Sequence, residues 1–277
     1  MAEADMTIGK NELITLLKRT QRMATINGKS IAQVKGTVLE IMPNNQVGTF
    51  SIVRDGTSSI AHFCADIEKG GGESIPVSDI GLLLGALSKH GAQIDLSYDK
   101  GKIKIKSTGK QTTIQSSADA QAFSHTKKTV AEWSADSKNR YEHTLLSSPK
   151  HYTLKNGDKV DCAFSVNLNS KLLFDAIESG SMNGQKVEHY KFLTDNNTLM
   201  LEVGAVGKGK TQSILEYGVG NPFEALIGGG LDNVLRTVDG LVNLDFFDLT
   251  PYGGGMSLRL SFDNGCLFQR EVHRNAD

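Results

Sequence analysis

Two stretches of this chain follow one plan, and that repetition limits its fold more than any single motif does. In the first, IPVSDIGLLLGALSKHGAQIDLSYDKGKIKIKSTGK over 75–110, Ile80, Leu83, Leu84 and Leu87 recur at helical spacing. Ser78 offers an N-cap and Gly91 a stop, which predicts a helix of about three turns. Strict alternation follows, with Ile94, Leu96 and Tyr98 on one face. A turn at Asp99-Lys100-Gly101 leads to Ile103 and Ile105, which alternate with Lys102, Lys104 and Lys106. No long crossover separates these strands, so they pair antiparallel.

The plan returns near the end of the chain. Leu231, Val234, Leu235 and Val238 draw a second helical stripe, and Val242, Leu244 and Phe246 then alternate. The Gly253-Gly254-Gly255 turn precedes Leu258, Leu260 and Phe262. Gly101 and Gly255 are 154 positions apart (255 − 101), and Asp79 and Asp232, read as the helix starts, 153 apart (232 − 79). One shared order at one offset reads as an internal duplication.

A length of 277 residues accommodates two domains with their own cores. The net charge of -1 hides an asymmetry: residues 1–118 carry 14 Lys/Arg against 11 Asp/Glu, and residues 161–277 carry 9 against 15. Any nucleic-acid contact must therefore come from a local patch and not from the whole surface. Cys64, Cys162 and Cys266 are dispersed and odd in number, which fits reduced thiols. MAEADMTIGK is too acidic and polar for a signal peptide, and no apolar run nears the roughly 20 residues that span a bilayer. The expected location is the cytoplasm, that of the bacterial host if a phage encodes the chain, with no membrane partner.

Taken in order, residues 10–24 form a first helix with Leu13, Leu16, Leu17 and Thr20 inward. Short strands follow near 29–42, 46–54 and 58–66, and a strand of Thr112, Ile114 and Ser116 closes the first domain, 1–118. Residues 119–160 are rich in Ser, Lys and Asp and read as a connector with a lead-in strand, with some helix around Lys127 to Trp133. The second domain, 161–277, repeats the plan. Ala163 to Val166 is a strand, Leu168, Leu172 and Ala176 mark a helix, and strands follow near 186–194, 198–204 and 211–217.

In ELITLLKRTQRMATI, in IPVSDIGLLLGALSKHGAQIDLSYDKGKIKI and in the doubled helix–meander order, the chain resembles the DNA sliding clamps, the polymerase processivity factors, and most closely those of tailed bacteriophages. The resemblance implies an α+β fold of two similar clamp-type domains, with antiparallel sheets outside and two helices each on an inner face. It implies a homotrimer closing head-to-tail into a ring around double-stranded DNA, with the strand near Gln111 to Ser116 pairing with that near Thr211 to Tyr217 of the next chain. An ATP-driven clamp loader would open the ring, and a replicative DNA polymerase would be tethered to it. No cofactor and no metal is implied.

For the lining, this points to Lys10, Lys18, Arg19 and Arg22 on the first helix, Lys89 at the end of the second, and Lys171 and Arg236 in the second half. Taken alone, each such basic face reads as solvated surface. Lys171 shares its face with Asp175 and Glu178, and Arg236 sits between Asp232 and Asp239, so both suit ordinary surface pairs. The Lys100, Lys102, Lys104, Lys106 row reads as a solubilised strand face that discourages edge pairing.

Gly204 to Thr211 satisfies G-x-x-x-x-G-K-[ST], the phosphate-cradling loop of many NTPases. Such a loop must open a helix, whereas QSILEYGVGNP is broken by Gly218, Gly220 and Pro222. A hairpin loop is the better expectation. The seven His residues form no H-E-x-x-H and no G-x-S-x-G is present, so the chain reads as a binding protein and not an enzyme. Two alternatives stay open: a phage structural ring protein of tail-tube or baseplate type, and the P-loop NTPase.

Overall fold

The computed structural model describes residues 4–23, 25, 26, 29, 30, 36–42, 44–55, 57–116, 151–154, 156–181, 189–195, 197–204, 210–217, 222–228, 231–252 and 255–270. The expected helix around Lys127 to Trp133, and most of the connector, lie outside them. The chain divides into two compact units, Met1–Ile52 with Ala61–Trp133, and Val53–Ile60 with Ser134–Asp277.

The first unit opens with β1 (Ala4–Gly9) running directly into α1 (Lys10–Met23). Two short strands, β2 (Thr25–Ile26) and β3 (Lys29–Ser30), pair with each other. They are followed by β4 (Thr37–Met42), β5 (Gln46–Asp55), β6 (Thr57–Asp66), β7 (Lys69–Gly71) and β8 (Ser74–Val77). Then come α2 (Ile80–Leu87), β9 (Gln93–Asp99), β10 (Lys102–Ser107) and β11 (Lys110–Gln115). One sheet has the order β11-β10-β9-β1-β7, and another run is ordered β6-β5-β4-β8.

Register is set by which side chains must be dry. Met6 faces Leu96, Leu96 faces Ile105 and Ile103 faces Ile114, so one face carries the buried set Met6, Ile8, Ile94, Leu96, Tyr98, Ile103 and Ile105. A slip by one residue would turn that whole set to water. The tight turn after β9 is closed by Lys100 and Gly101, both at positive φ (47° and 79°), the geometry that two-residue hairpin loops demand. The Lys row is answered across the ladder: Lys102 faces Asp99 and Lys106 faces Asp95.

The second unit repeats this design. A hairpin of β12 (His151–Thr153) and β13 (Lys159–Asp161) precedes β14 (Phe164–Asn169), which runs straight into α3 (Ser170–Ser181). Next are β15 (His189–Asp195), β16 (Thr198–Gly204), β17 (Lys210–Tyr217) and β18 (Glu224–Gly228). Then follow α4 (Leu231–Leu235), β19 (Leu241–Asp248), β20 (Met256–Phe262) and β21 (Gly265–Arg270). Its strand orders, β14-β19-β20-β21 and β17-β16-β15-β18, match β1-β9-β10-β11 and β6-β5-β4-β8 one for one. The duplication is real, but its offset is not constant. Met6 pairs with Leu96 and Val166 with Leu244, which gives 160 for the first strands (166 − 6) and 148 for their partners (244 − 96). Ladders hold their register while loops change length. The loop from Leu249 to Gly255, with a 3-10 turn at Thr250–Tyr252, replaces the two-residue turn of the first unit.

Several expected details shift for the same reason. Asp79, not Ser78, caps α2, accepting the Leu82 N–H at 2.8 Å; Ser88, not Gly91, ends it, and the helix has 8 residues. Asp232 lies inside α4 and not at its cap, so Asp79 and Asp232 are not equivalent. In α3 the buried apolar side chains are Leu173, Ala176 and Ile177, while Leu172 is exposed and Leu168 belongs to β14. The phosphate-loop pattern ends in a strand: Gly204 closes β16, pairs with Lys210, and Lys210-Thr211 begins β17. No helix is presented to a phosphate there, so the NTPase reading fails on geometry.

The outward face of β19 and β20 holds one buried ion pair. Arg259 donates from Nε to Asp245 Oδ2 at 3.0 Å, its guanidinium lies 5.3 Å from the Phe247 ring centroid, and Ser165 Oγ donates to Asp245 at 2.7 Å. Tyr152 from the β12–β13 hairpin packs with Phe247 and Leu249 beside it. Such a pair is kept from water only when its remaining hydrogen bonds are met, as here.

Candidate nucleic-acid interface

In the first unit α1 and α2 pack side by side, each burying one stripe. Leu13, Leu16 and Leu17 are buried on α1, as are Ile80, Leu83, Ala86 and Leu87 on α2. Thr20 shares the inner stripe because its hydroxyl is satisfied there, donating to Leu16 O at 2.9 Å and meeting Thr49 Oγ1 at 2.6 Å. The outward residues are Asn11, Glu12, Thr15, Lys18 and Gln21 on α1, and Gly81, Leu82, Gly85, Ser88 and Lys89 at α2. Apart from Glu12, every charge in that set is positive. The face also carries the exposed Leu82, and it is low at Gly81 and Gly85, which have no side chain.

The predicted cations fall into three groups. Lys18 and Lys89 are exposed, Arg19 is half-buried, and the side chain of Arg22 lies outside the described residues. Lys10 starts α1, and its Nζ donates to the His90 carbonyl at 2.8 Å. In the second unit, Lys171 pairs with Asp175 at 2.9 Å, as its i,i+4 spacing foretold. Arg236, in the turn after α4, meets Glu178 of α3 at 3.1 Å and lies 5.2 Å from the Phe174 ring centroid. Its partner is thus a neighbouring helix and not Asp232 or Asp239. The two helix faces therefore differ: among the described residues Lys18 and Lys89 have no carboxylate partner, whereas Lys171 and Arg236 are each bound to one.

Two residues at the end of α2 had no signal in the sequence. His90 is buried between α2 and the β10–β11 turn, with Nδ1 2.9 Å from Ser107 Oγ and Nε2 2.9 Å from Thr112 Oγ1. Lys110, the first residue of β11, donates from Nζ to the Lys89 carbonyl at 3.1 Å and so stands at the end of α2. It is counted with the sheet by periodicity, and only the tertiary fold brings it to the helix pair. Among the described residues no cluster of His, Cys, Asp or Glu is placed to hold a metal, and no helix is long and apolar enough to cross a membrane.

Strand order, repeat and paired helices define a class, the DNA clamp fold. Solved structures place the chain in it: the DNA polymerase III beta subunit of Thermotoga maritima superposes with a TM-score of 0.66 at 12% identity, over 98% of this chain and 65% of that one. The sliding clamp of Pseudomonas aeruginosa, solved bound to griselimycin, gives 0.65 at 12% identity over 100% and 66%. That of Caulobacter crescentus gives 0.65 at 14% over 99% and 68%. The chain thus spans about two thirds of the length of the clamps it matches. No family model matches it, and no curated protein matches it in sequence.

Proposed function

We propose that the chain is a DNA sliding clamp, a binding protein without chemistry of its own. Three copies, each with two clamp domains (1–118 and 161–277, joined by 119–160), close head-to-tail into a ring around duplex DNA. The ring holds a replicative polymerase on its template after an ATP-driven loader has opened it. The observation that carries this reading is the duplicated clamp fold with a helix face on which the exposed Lys18 and Lys89 have no carboxylate partner among the described residues. Lysine and arginine on such a face attract phosphates without reading bases, which permits sliding.

Within that face Lys10, Lys18, Arg19, Arg22 and Lys89 carry the DNA contact. Lys171 and Arg236 contribute less, because each must first leave a carboxylate. Closure uses strand edges: among the described residues β11 and β17 each have a ladder partner on one side only. The fold likeness to clamps weighs against a tail-tube or baseplate protein, and so do the exposed lysines Lys18 and Lys89 on the helix face.

Native mass by light scattering over a concentration series tests the ring. A mass near three times 29.9 kDa, falling towards one chain only on dilution, is the expected result. A single chain at every concentration would overturn the closed ring.

A further inference from the structure

β11 is an edge strand that buries none of its own side chains. Its residues, Lys110–Gln115, are all exposed or half-buried, whereas the neighbouring β10 buries Ile103 and Ile105. Among the described residues β11 has one ladder, to β10, and its other edge is open. Fraying is the ordinary behaviour of a strand with so little apolar anchorage.

Two polar clamps hold it instead, one at each end of α2. Near the start of the strand, Thr112 Oγ1 lies 2.9 Å from Nε2 of the buried His90, just past the C-terminus of α2. The other ring nitrogen is 2.9 Å from Ser107 Oγ, which also accepts the Gly91 N–H at 3.3 Å. Directly after the strand, the buried Ser116 hydroxyl donates to the Pro76 carbonyl at 2.6 Å and accepts the Ser78 N–H at 2.9 Å, both on the lead into α2. The Ser116 N–H donates to the Gly101 carbonyl at 2.8 Å and so ties the same residue to the β9–β10 turn.

Buried polar groups are kept where each finds a partner, and these clamps add no apolar burial to the core. Their effect is on order: they fix both ends of an open edge against one helix. An edge that receives another strand through main-chain hydrogen bonds gains from such fixing, because a strand ordered before contact loses less freedom on docking.

We propose that Thr112 and Ser116, acting through His90 and the Pro76–Ser78 lead, are positioning residues of the ring joint. They keep β11 extended along α2 with its open edge set for β17 of the next chain. The proposal rests on the ring reading. Thr112→Val keeps the branched shape of the side chain and removes the His90 bond. A strand competent for docking one-tenth of the time weakens each joint about tenfold. In the full-length chain, diluted until light scattering reports single chains, amide hydrogen exchange over 110–116 is therefore expected to quicken about tenfold in Thr112→Val. Exchange in β9 and β10 keeps its wild-type rate. The joint dissociation constant, taken from native mass over a concentration series, rises by the same factor. Thr112→Ser, which keeps the hydroxyl, restores both readouts, and Ser116→Ala moves both in the direction of Thr112→Val. Faster exchange in β11 with an unchanged joint constant reduces the clamps to local strand stability and overturns this inference alone, as does an unchanged exchange rate. A weaker joint accompanied by faster exchange throughout the first unit marks general destabilisation and overturns it likewise. A wild-type chain that stays single at every concentration overturns the ring reading, and this inference with it.

Discussion

His62 lies in β6 with its ring against Gly48, where any side chain would collide: a Cβ there would stand 2.8 Å from Nε2. Its neighbour in the strand pattern is the Cys64 thiol, 3.4 Å from Nε2. Burial pushes the imidazole down from 6.5 to about 4 and the thiol up to about 12, the latter with help from Asp66. A pair so shifted is neutral at pH 7. The lowered histidine has a consequence for stability. Between about pH 4 and 6.5 the unfolded chain binds a proton at His62 that the folded chain refuses, so stability falls as pH falls through that window. The loss is on the order of 3 kcal/mol at its acid end, taking 1.36 kcal/mol per pKa unit. Denaturant melts from pH 7 down to 4.5 should show this slope, and His62→Gln should flatten it. An equally steep slope in the variant would assign the acid sensitivity elsewhere. None of this was legible in the sequence, because alternation shows that His62 and Cys64 share a face of β6 but not that the face is dry. The pairing of Lys171 with Asp175 was legible, since i,i+4 spacing fixes the neighbour within one helix. The partner of Arg236 was not, since Glu178 comes from another.

The elements were easier to read where a period governs them. The apolar stripe Ile80, Leu83, Leu84, Leu87 and the alternation on β9 and β10 gave the helix–meander unit directly, twice. Ends were harder: the choice between Ser78 and Asp79 as cap depends on which side chain reaches the Leu82 N–H, a matter of backbone angles that residue type alone leaves open. The exposed side of α2 shows what the ends cost. Gly85 sits inside this 8-residue helix with open space around its missing Cβ, and it is not among the glycines with positive φ. Glycine there gives up about 0.8–1 kcal/mol of helix propensity relative to alanine. Gly85→Ala should therefore raise stability by that amount in equilibrium unfolding, while Asp79→Ala, which removes the cap, should lower it by about 1 kcal/mol. A Gly85→Ala variant that is more stable but binds duplex less well would show that the low surface of α2 serves close approach of the backbone to DNA.

At the scale of the molecule, strands with unused edges are hazards unless a partner covers them. β17 is such an edge, with β16 on one side among the described residues, and Ile214 on it is 50% exposed. Met200, opposite Ile214, is half-buried on the same face. In the proposed ring this edge receives β11 of the next chain, so that Ile214 is covered on closure. Because Ile214 is already half covered, completing its burial is worth about 0.8–1.5 kcal/mol, or roughly 4- to 12-fold in the dissociation constant of each joint. Ile214→Glu replaces that gain with a charge to be desolvated at every one of the three joints, while in the single chain it stays at the surface and changes folding stability by no more than about 0.5 kcal/mol. Light scattering and thermal melts on the same samples should then show wild-type rings and variant single chains at one concentration, with melting of the dilute single chains unchanged. A variant that keeps the wild-type mass would remove β17 from the joint and leave the ring, if the wild type forms one, to be closed by a different surface.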